Sequence, residues 1–108
     1  GIVITDPNIK QFQNIKKIAH KKKLKLLTIL NKGSDLELVS HQYENDHQIL
    51  KIKEKNKKNI IQLDLNLIGK IQIKNVLMAI LAANRSGLDI NSIAKSIIKL
   101  KPLIKPDK

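Results

Sequence analysis

The chain has 108 residues, a length that fits one small domain or part of a larger one. Lys and Arg total 21 against 9 acidic residues, which gives a net charge of +12, and cysteine is absent. The lack of cysteine excludes disulfide frameworks and thiolate metal sites. No apolar run approaches the roughly 18 residues that a membrane span needs, and the start of the chain has no signal-peptide pattern. We therefore expect a cytoplasmic protein, or a piece of one, that has no membrane partner.

The positive charge could indicate an anionic partner such as nucleic acid. Almost all of it comes from Lys, with Arg85 the single arginine, and aromatic residues make up only 2% of the chain. Phosphate and base recognition favours Arg and stacking aromatics. The composition therefore argues against nucleic acid. A small basic nucleic-acid-binding protein and a standalone interaction module remain the alternative functions.

Residues 1–30 predict a βαβ unit. Residues 1–5 are a β-branched run typical of a strand buried on both faces, and residues 24–30 predict a second buried strand. Between them, Asp6 and Pro7 predict a helix start, with Asp6 as N-cap and Pro7 at the first helical position. Two strands joined through a helix are expected to be parallel with a right-handed crossover. The apolar positions of the predicted helix are Ile9, Phe12, Ile15, Ile18 and Ala19.

Residues 36–67 predict three antiparallel strands with one solvated face, because apolar and polar residues alternate along them. Residues 44–47 are typical of a tight hairpin turn, and residues 55–59 predict a second turn. The alternating apolar positions are Leu36, Leu38, Leu50, Ile52, Ile61, Leu63, Leu65 and Leu67.

Residues 70–101 predict two helices. The first has an apolar stripe wide enough to be buried on most sides, and Gly87 is predicted to end it in the C′ position. Asp89 is the predicted N-cap of the second helix, which ends before Pro102 and Pro106. The stripe of the first helix is Ile73, Val76, Leu77, Ile80, Leu81 and Ala83, and that of the second is Ile93, Ile97 and Leu100. The predicted fold is thus α/β: a βαβ unit with parallel strands, a three-stranded antiparallel sheet and two C-terminal helices.

Two amides, Gln72 and Asn75, lie at the start of the first of these helices. Their spacing of three places both side chains on one helix face, near backbone N–H groups without a partner in the helix. Because amides both donate and accept hydrogen bonds, such a pair can read the edge of a heterocycle. A capping or solvated role is the alternative interpretation.

The order of residues in this stretch resembles a segment of the Mur ligase family. Here the order is Leu67-x-Gly69-x-Ile71-Gln72-x-x-Asn75-x-Leu77-x-Ala79; there it is L-x-G-x-F-[NQ]-x-x-N-x-L-x-A. Those enzymes are ATP-dependent ligases that build the peptide stem of bacterial peptidoglycan. The family segment closes the central, nucleotide-binding domain, and its last Asn helps to hold adenine. The resemblance implies that Asn75 binds the adenine of ATP, with Gln72 as a weaker second contact, while Ile71 replaces the usual aromatic ring.

The order of elements is also similar to that family's P-loop-type central domain, of which residues 1–108 would be the C-terminal half. Its parts would be the βαβ unit (1–30), the antiparallel strands (36–67) and the helical pair (70–101). Gln after the aromatic position favours the tripeptide synthetase. That enzyme adds the third stem residue, diaminopimelate or lysine, to UDP-N-acetylmuramoyl-L-alanyl-D-glutamate.

The catalytic residues of the family have no counterpart in this sequence. There is no Gly-Lys-Ser/Thr loop, and the family's metal-binding Glu and His and its modified Lys would precede Gly1. The resemblance implies ATP and Mg²⁺ as cofactors of the complete enzyme, with weak nucleotide binding and no turnover by this chain alone. The implied partners are ATP, the UDP-muramoyl dipeptide and the remainder of the ligase chain.

The three histidines and the lysine runs are weaker candidates for a site. His20, His41 and His47 are separated in sequence, and we expect exposed turn residues at His41 and His47 in place of a metal site. The lysines at 21–23 and 55–58 are expected to be solvated.

Overall fold

The computed structural model describes residues 1–66 and 73–99. The described elements are β1 (Ile2–Thr5), α1 (Phe12–Lys21), β2 (Lys25–Leu30), β3 (Leu36–Glu44), β4 (His47–Glu54), β5 (Ile60–Asn66), α2 (Ile73–Arg85) and α3 (Ile90–Lys99). The strands form one sheet in the order β1-β2-β3-β4-β5. This confirms the predicted α/β fold. The predictions for Leu67, Gly69, Leu100, Pro102 and Pro106 lie outside the described residues.

The parallel pairing of β1 with β2 is confirmed, with Ile4 opposite Leu27 and Thr5 opposite Thr28. The expectation that β1 is buried on both faces is wrong. The strand lies at the end of the sheet, and Ile2 is 49% exposed. A strand with one neighbour in the sheet buries less of its surface than a central strand does, although its β-branched sequence is the same.

The predicted helix start at Asp6 and Pro7 is also wrong, because α1 begins at Phe12 with Gln11 at the N-cap position. The carboxylate of Asp6 does accept a backbone hydrogen bond, but from the N–H of Asn8 at 2.9 Å, within a turn. An Asp side chain that bonds two residues ahead stabilises a turn as readily as a helix start.

The connection between β2 and β3 contains a pairing that the sequence pattern did not predict. Residues 29 and 30 of β2 pair in parallel with residues 36 and 37 of β3. Leu30 and Gly33 have φ angles of +83° and +85°, which let the chain step sideways within five residues. The Asp35 carboxylate accepts the Thr28 N–H at 2.9 Å and so extends the pairing. The parallel and antiparallel parts therefore form a single sheet.

The three antiparallel strands are confirmed. The hairpin between β3 and β4 has two loop residues, and Asn45 at its tip has a φ angle of +52°. Leu50 and Ile52 are fully buried whereas Lys51 between them is exposed, as expected for a sheet with one solvated face.

Both C-terminal helices pack on the other face of this sheet, α2 against β1 and β2, and α3 against β5. The N–H of Gly87, at φ +112°, donates to the Asn84 carbonyl and that of Leu88 to the Ala83 carbonyl. These bonds confirm the predicted C′ position of Gly87. The carboxylate of Asp89 accepts the Ser92 N–H at 3.2 Å, which confirms the cap of α3.

One hydrophobic core joins the sheet to the two helices. Its buried members are Leu27, Ile29, Leu36, Leu50, Ile52, Leu63, Leu65, Leu77, Ile80, Leu81, Ile90 and Ala94. The prediction that α2 is buried on most sides is wrong, because Lys74, Asn75, Ala79 and Ala82 are exposed. Small and polar residues on that side leave the helix one open face. None of the helices within residues 1–66 and 73–99 is long and apolar enough to cross a bilayer.

Candidate functional site

Polar residues collect where the two parallel strands end. Since β1 and β2 run in the same direction, their carboxyl ends lie at one edge of the sheet. Asp6 follows β1 and Asn31 follows β2. In open α/β sheets this edge is where ligands usually bind.

Asp6 is the most buried charged residue of this edge, with 5% of its surface exposed. One carboxylate oxygen lies 2.6 Å from Nζ of Lys74 in α2. The other accepts hydrogen bonds from the backbone N–H and side-chain Nδ2 of Asn8, at 2.9 and 2.8 Å. Burial by itself would raise the pKa of this carboxyl, but the bonds from Lys74 and Asn8 and the Lys74 charge outweigh it. The pKa of Asp6 therefore lies below its ordinary value of 3.8.

Asn8 also connects the two strand ends. Its Nδ2 donates to Oδ1 of Asn31 at 2.9 Å, and Nδ2 of Asn31 donates back to Oδ1 of Asn8 at 3.1 Å. Asp6, Asn8, Asn31 and Lys74 are named here the edge cluster. A single hydrogen-bonded network thus holds β1, β2 and the start of α2 together.

Asn75, the predicted adenine contact, follows Lys74 directly in the first described turn of α2, and its side chain is exposed. It is therefore on the helix end that approaches the carboxyl edge of the sheet. Gln72, the second predicted contact, lies outside the described residues, so the pairing of the two amides stays a prediction.

Sequence reasoning missed the ion pair between Asp6 and Lys74. One signal was available: a cation in the first turn of a helix opposes the helix dipole and favours a nearby carboxylate. It also missed a second ion pair, in which Arg85 Nη2 lies 3.6 Å from Oδ1 of Asp35. The two pairs connect opposite ends of α2 to acidic residues that adjoin the strands, which fixes the helix relative to the carboxyl edge.

The histidines form no metal site in the described ranges, where no group of three potential ligands occurs. Nε2 of His41 lies 2.6 Å from Oε1 of Gln48, and Nδ1 of His47 lies 2.7 Å from Oδ1 of Asp64. The expectation that both are exposed turn residues is wrong. They are half-buried because each one pairs with a polar side chain of a neighbouring strand.

No protein-family model and no curated protein sequence matches the chain. Solved structures do match, and they are Mur ligases. A UDP-N-acetylmuramoyl-L-alanyl-D-glutamate–2,6-diaminopimelate ligase superposes with a TM-score of 0.79 over 96% of this chain, at 16% identity. The chain has the fold of a Mur ligase segment. It spans 22% of that structure's length.

Two further Mur ligases show the same likeness. The UDP-N-acetylmuramoylalanyl-D-glutamyl-2,6-diaminopimelate–D-alanyl-D-alanyl ligase from Acinetobacter baumannii matches 94% of the chain with a TM-score of 0.74 and 15% identity. The MurF ligase from Thermotoga maritima, solved in complex with ADP, matches 95% with a TM-score of 0.70 and 14% identity. This chain spans 22% of each. At these identities the likeness establishes the fold alone.

Proposed function

We propose that the chain is part of an ATP-dependent ligase of the Mur type, in which the edge cluster and Asn75 form one wall of the nucleotide pocket. The observation that carries the proposal is the position of Asn75. The residue that the family resemblance assigns to adenine is exposed, and it lies at the helix end that faces the carboxyl edge of the parallel strands. The ADP complex of the MurF ligase with the same fold supports a nucleotide as the ligand.

Within that family we propose the tripeptide synthetase, which adds the third stem residue to UDP-N-acetylmuramoyl-L-alanyl-D-glutamate. Gln72 supports this assignment from the sequence. The TM-score of 0.79 with the 2,6-diaminopimelate ligase, against 0.74 with the D-alanyl-D-alanyl ligase, points the same way.

The reaction proposed for the complete enzyme begins when a substrate carboxylate attacks the γ-phosphorus of ATP, which forms an acyl phosphate and releases ADP. The incoming amine then attacks the acyl carbon and displaces inorganic phosphate. Both steps need groups that neutralise phosphate charge. The described residues contain no cluster that fits Mg²⁺, so we assign the phosphate loop and the metal ligands to the remainder of the ligase chain. Asn75 would hold the base in place through its amide.

The sheet edge supports a partner of this kind. β1 ends the described sheet, and its residue Ile2 is half exposed. A parallel strand normally has neighbours and helices that cover it on both faces. We propose that the remainder of the ligase chain adds a strand beside β1, in the cytoplasm, where the UDP-muramoyl dipeptide is extended.

Adenosine binding tests the proposed role of Asn75. The nucleoside is uncharged, so the +12 charge of the chain does not attract it non-specifically. One wall of a pocket should bind adenosine weakly, with a Kd of about 1 mM. Inosine, which lacks the adenine amino group, should bind several-fold more weakly, because an Asn amide pairs with that group and the adjacent ring nitrogen.

The matched variants are Asn75→Ala and Asn14→Ala, since Asn14 is an exposed asparagine on a different helix. Asn75→Ala should weaken adenosine binding about tenfold, the loss expected for one bidentate contact, and Asn14→Ala should leave it unchanged. Equal binding by wild type and Asn75→Ala, or no binding up to the solubility of adenosine, would overturn the proposed pocket.

The lack of catalytic groups has its own test. When the chain is mixed with ATP, the UDP-muramoyl dipeptide and diaminopimelate, we expect no release of phosphate. Turnover above background would show that residues of this chain perform the chemistry and would contradict the assignment of catalysis to another segment.

A further inference from the structure

A groove of about 480 Å³ lies between α1 and the start of β2. Its apolar lining is Ala19, Leu24 and Leu26. Leu27, the neighbour of Leu26, belongs to the hydrophobic core beneath α2. Because successive strand residues point to opposite faces, the groove and the edge network with α2 occupy different sides of the parallel strands.

The polar lining of the groove is cationic. Lys16, Lys17, His20 and Gln13 line it together with the three apolar residues. Lys16 and His20 are four residues apart on α1, as are Gln13 and Lys17, so the polar side chains form two adjacent rows on the helix surface. The exposed lysines of residues 21–23 continue this surface past the end of α1.

These cations have no acidic counterpart nearby. Helix α1 contains no Asp or Glu. In the described part of the chain, the acidic members of the ion pairs are Asp6, Asp35, Glu54 and Asp64, and none of them pairs with a residue of α1. The groove thus combines an aliphatic lining with unneutralised positive charge, and an occupant must be both apolar and anionic.

Shape and composition select among anionic occupants. A second copy of the chain also carries a charge of +12 and would be repelled. Neither Arg nor an aromatic ring lines the groove, so it lacks the stacking surface on which single-stranded nucleic acids bind. A membrane is a plane, whereas this site is a furrow beside a helix. Amphipathic peptide segments bind furrows of this kind through aliphatic anchors, with charged residues at the rim.

We propose that the α1–β2 groove is a docking site for an acidic, leucine-containing peptide segment of a partner protein. An aliphatic side chain of the peptide contacts Leu24 and Leu26, and its carboxylates pair with Lys16 and Lys17. The proposal is independent of the nucleotide pocket, since the groove shares no residue with the edge cluster or with Asn75.

The probe is a short fluorescein-labelled peptide in which Leu and Glu repeat at helical spacing, and binding is followed by fluorescence anisotropy. We expect the double variant Lys16→Glu, Lys17→Glu to bind it about tenfold more weakly than wild type, since two rim attractions become repulsions. The control is Lys55→Glu with Lys58→Glu, which changes the net charge equally in an exposed turn. It should weaken binding less than about twofold, because exposed charges farther away than a Debye length are screened.

Peptide variants test the two halves of the recognition separately. Replacing Glu by Gln in the peptide, or Leu by Ser, should each reduce affinity at least about tenfold. Equal weakening by the two lysine double variants would reduce the effect to net charge and overturn the proposal. So would undiminished binding of the Gln peptide. If an anionic vesicle or a DNA oligonucleotide bound in a Lys16- and Lys17-dependent way while the peptide did not, the occupant assigned here would be wrong.

Discussion

The ammonium group of Lys74 lies 2.6 Å from a carboxylate oxygen of Asp6. This contact connects the first described turn of α2 to the carboxyl end of β1, and it holds the neighbouring residue Asn75 beside the strand ends. The carboxylate is 5% exposed whereas the Lys74 side chain is 53% exposed. The pair is therefore part of the surface on its lysine side and part of the interior on its aspartate side.

Lys74→Met should lower the free energy of unfolding by about 1–2 kcal/mol, because it leaves a buried carboxylate with fewer partners. Solvent screening at the exposed lysine keeps the loss well below that of a fully buried pair. The control is Lys95→Met on α3, another exposed helical lysine, which should change stability by less than about 0.5 kcal/mol. Urea denaturation measures both variants, and equal losses would contradict the structural role of the pair.

The lowered pKa of Asp6 makes part of the stability depend on pH. A carboxyl whose pKa is lower in the folded state binds its proton more readily in the unfolded chain. Its contribution is therefore complete well above the ordinary value of 3.8 and is lost as the pH falls through the folded-state pKa. Asp6→Asn should remove this contribution, so the difference in unfolding free energy between wild type and variant should shrink on acidification below pH 3.8. A difference independent of pH would show that Asp6 keeps an ordinary pKa.

Gly87 ends α2 with a φ angle of +112°, a conformation that costs a residue with a Cβ atom. An added Cβ would meet no atom within 4 Å, so the cost of Gly87→Ala is conformational and not steric. We expect a loss of about 1 kcal/mol in unfolding free energy. Gly87→Asn should lose less, because Asn tolerates positive φ better than Ala. If the Ala variant were as stable as wild type, the helix end would differ from the one described.

The edge strand β1 predicts that the isolated chain associates with itself. Ile2 is half exposed beside unpaired backbone groups, and a charged residue on a strand edge opposes strand-to-strand pairing. Ile2→Lys should shift the chain towards monomer in sedimentation velocity. Leu88→Lys makes the same exchange at a 58% exposed position between the helices and should not do so. A wild-type chain that stays monomeric at all accessible concentrations would contradict the proposed open edge.

Local signals in the sequence were sufficient for much of the fold. Gly87 and Asp89 act through hydrogen bonds to residues at most four positions away, so their types alone indicate a helix end and a helix start. The alternation in 36–67 likewise records which strand face is buried. Asp6 was misread for a related reason. Its carboxylate bonds locally to Asn8, as an N-cap would bond, but the helix starts only at Phe12.

The candidate site was harder to predict because its contacts join distant parts of the chain. Asp6 meets Lys74, and Asn8 meets Asn31, only after the strands and α2 have packed. No local pattern encodes such a pair. The sequence indicated Asn75 through resemblance to a family segment, and not through its surroundings. The carboxyl edge on which its proposed role depends became visible only when the strand order was known.

The most direct test of the nucleotide pocket is an NMR titration of the isotope-labelled chain with adenosine. The account predicts chemical-shift changes that centre on the side-chain amide of Asn75 and on the backbone amides of Asn8, Asn31 and Lys74, and that leave Lys16 and Lys17 in the α1–β2 groove unaffected. Changes confined to the groove, or an Asn75 signal that does not move at saturating adenosine, would contradict it.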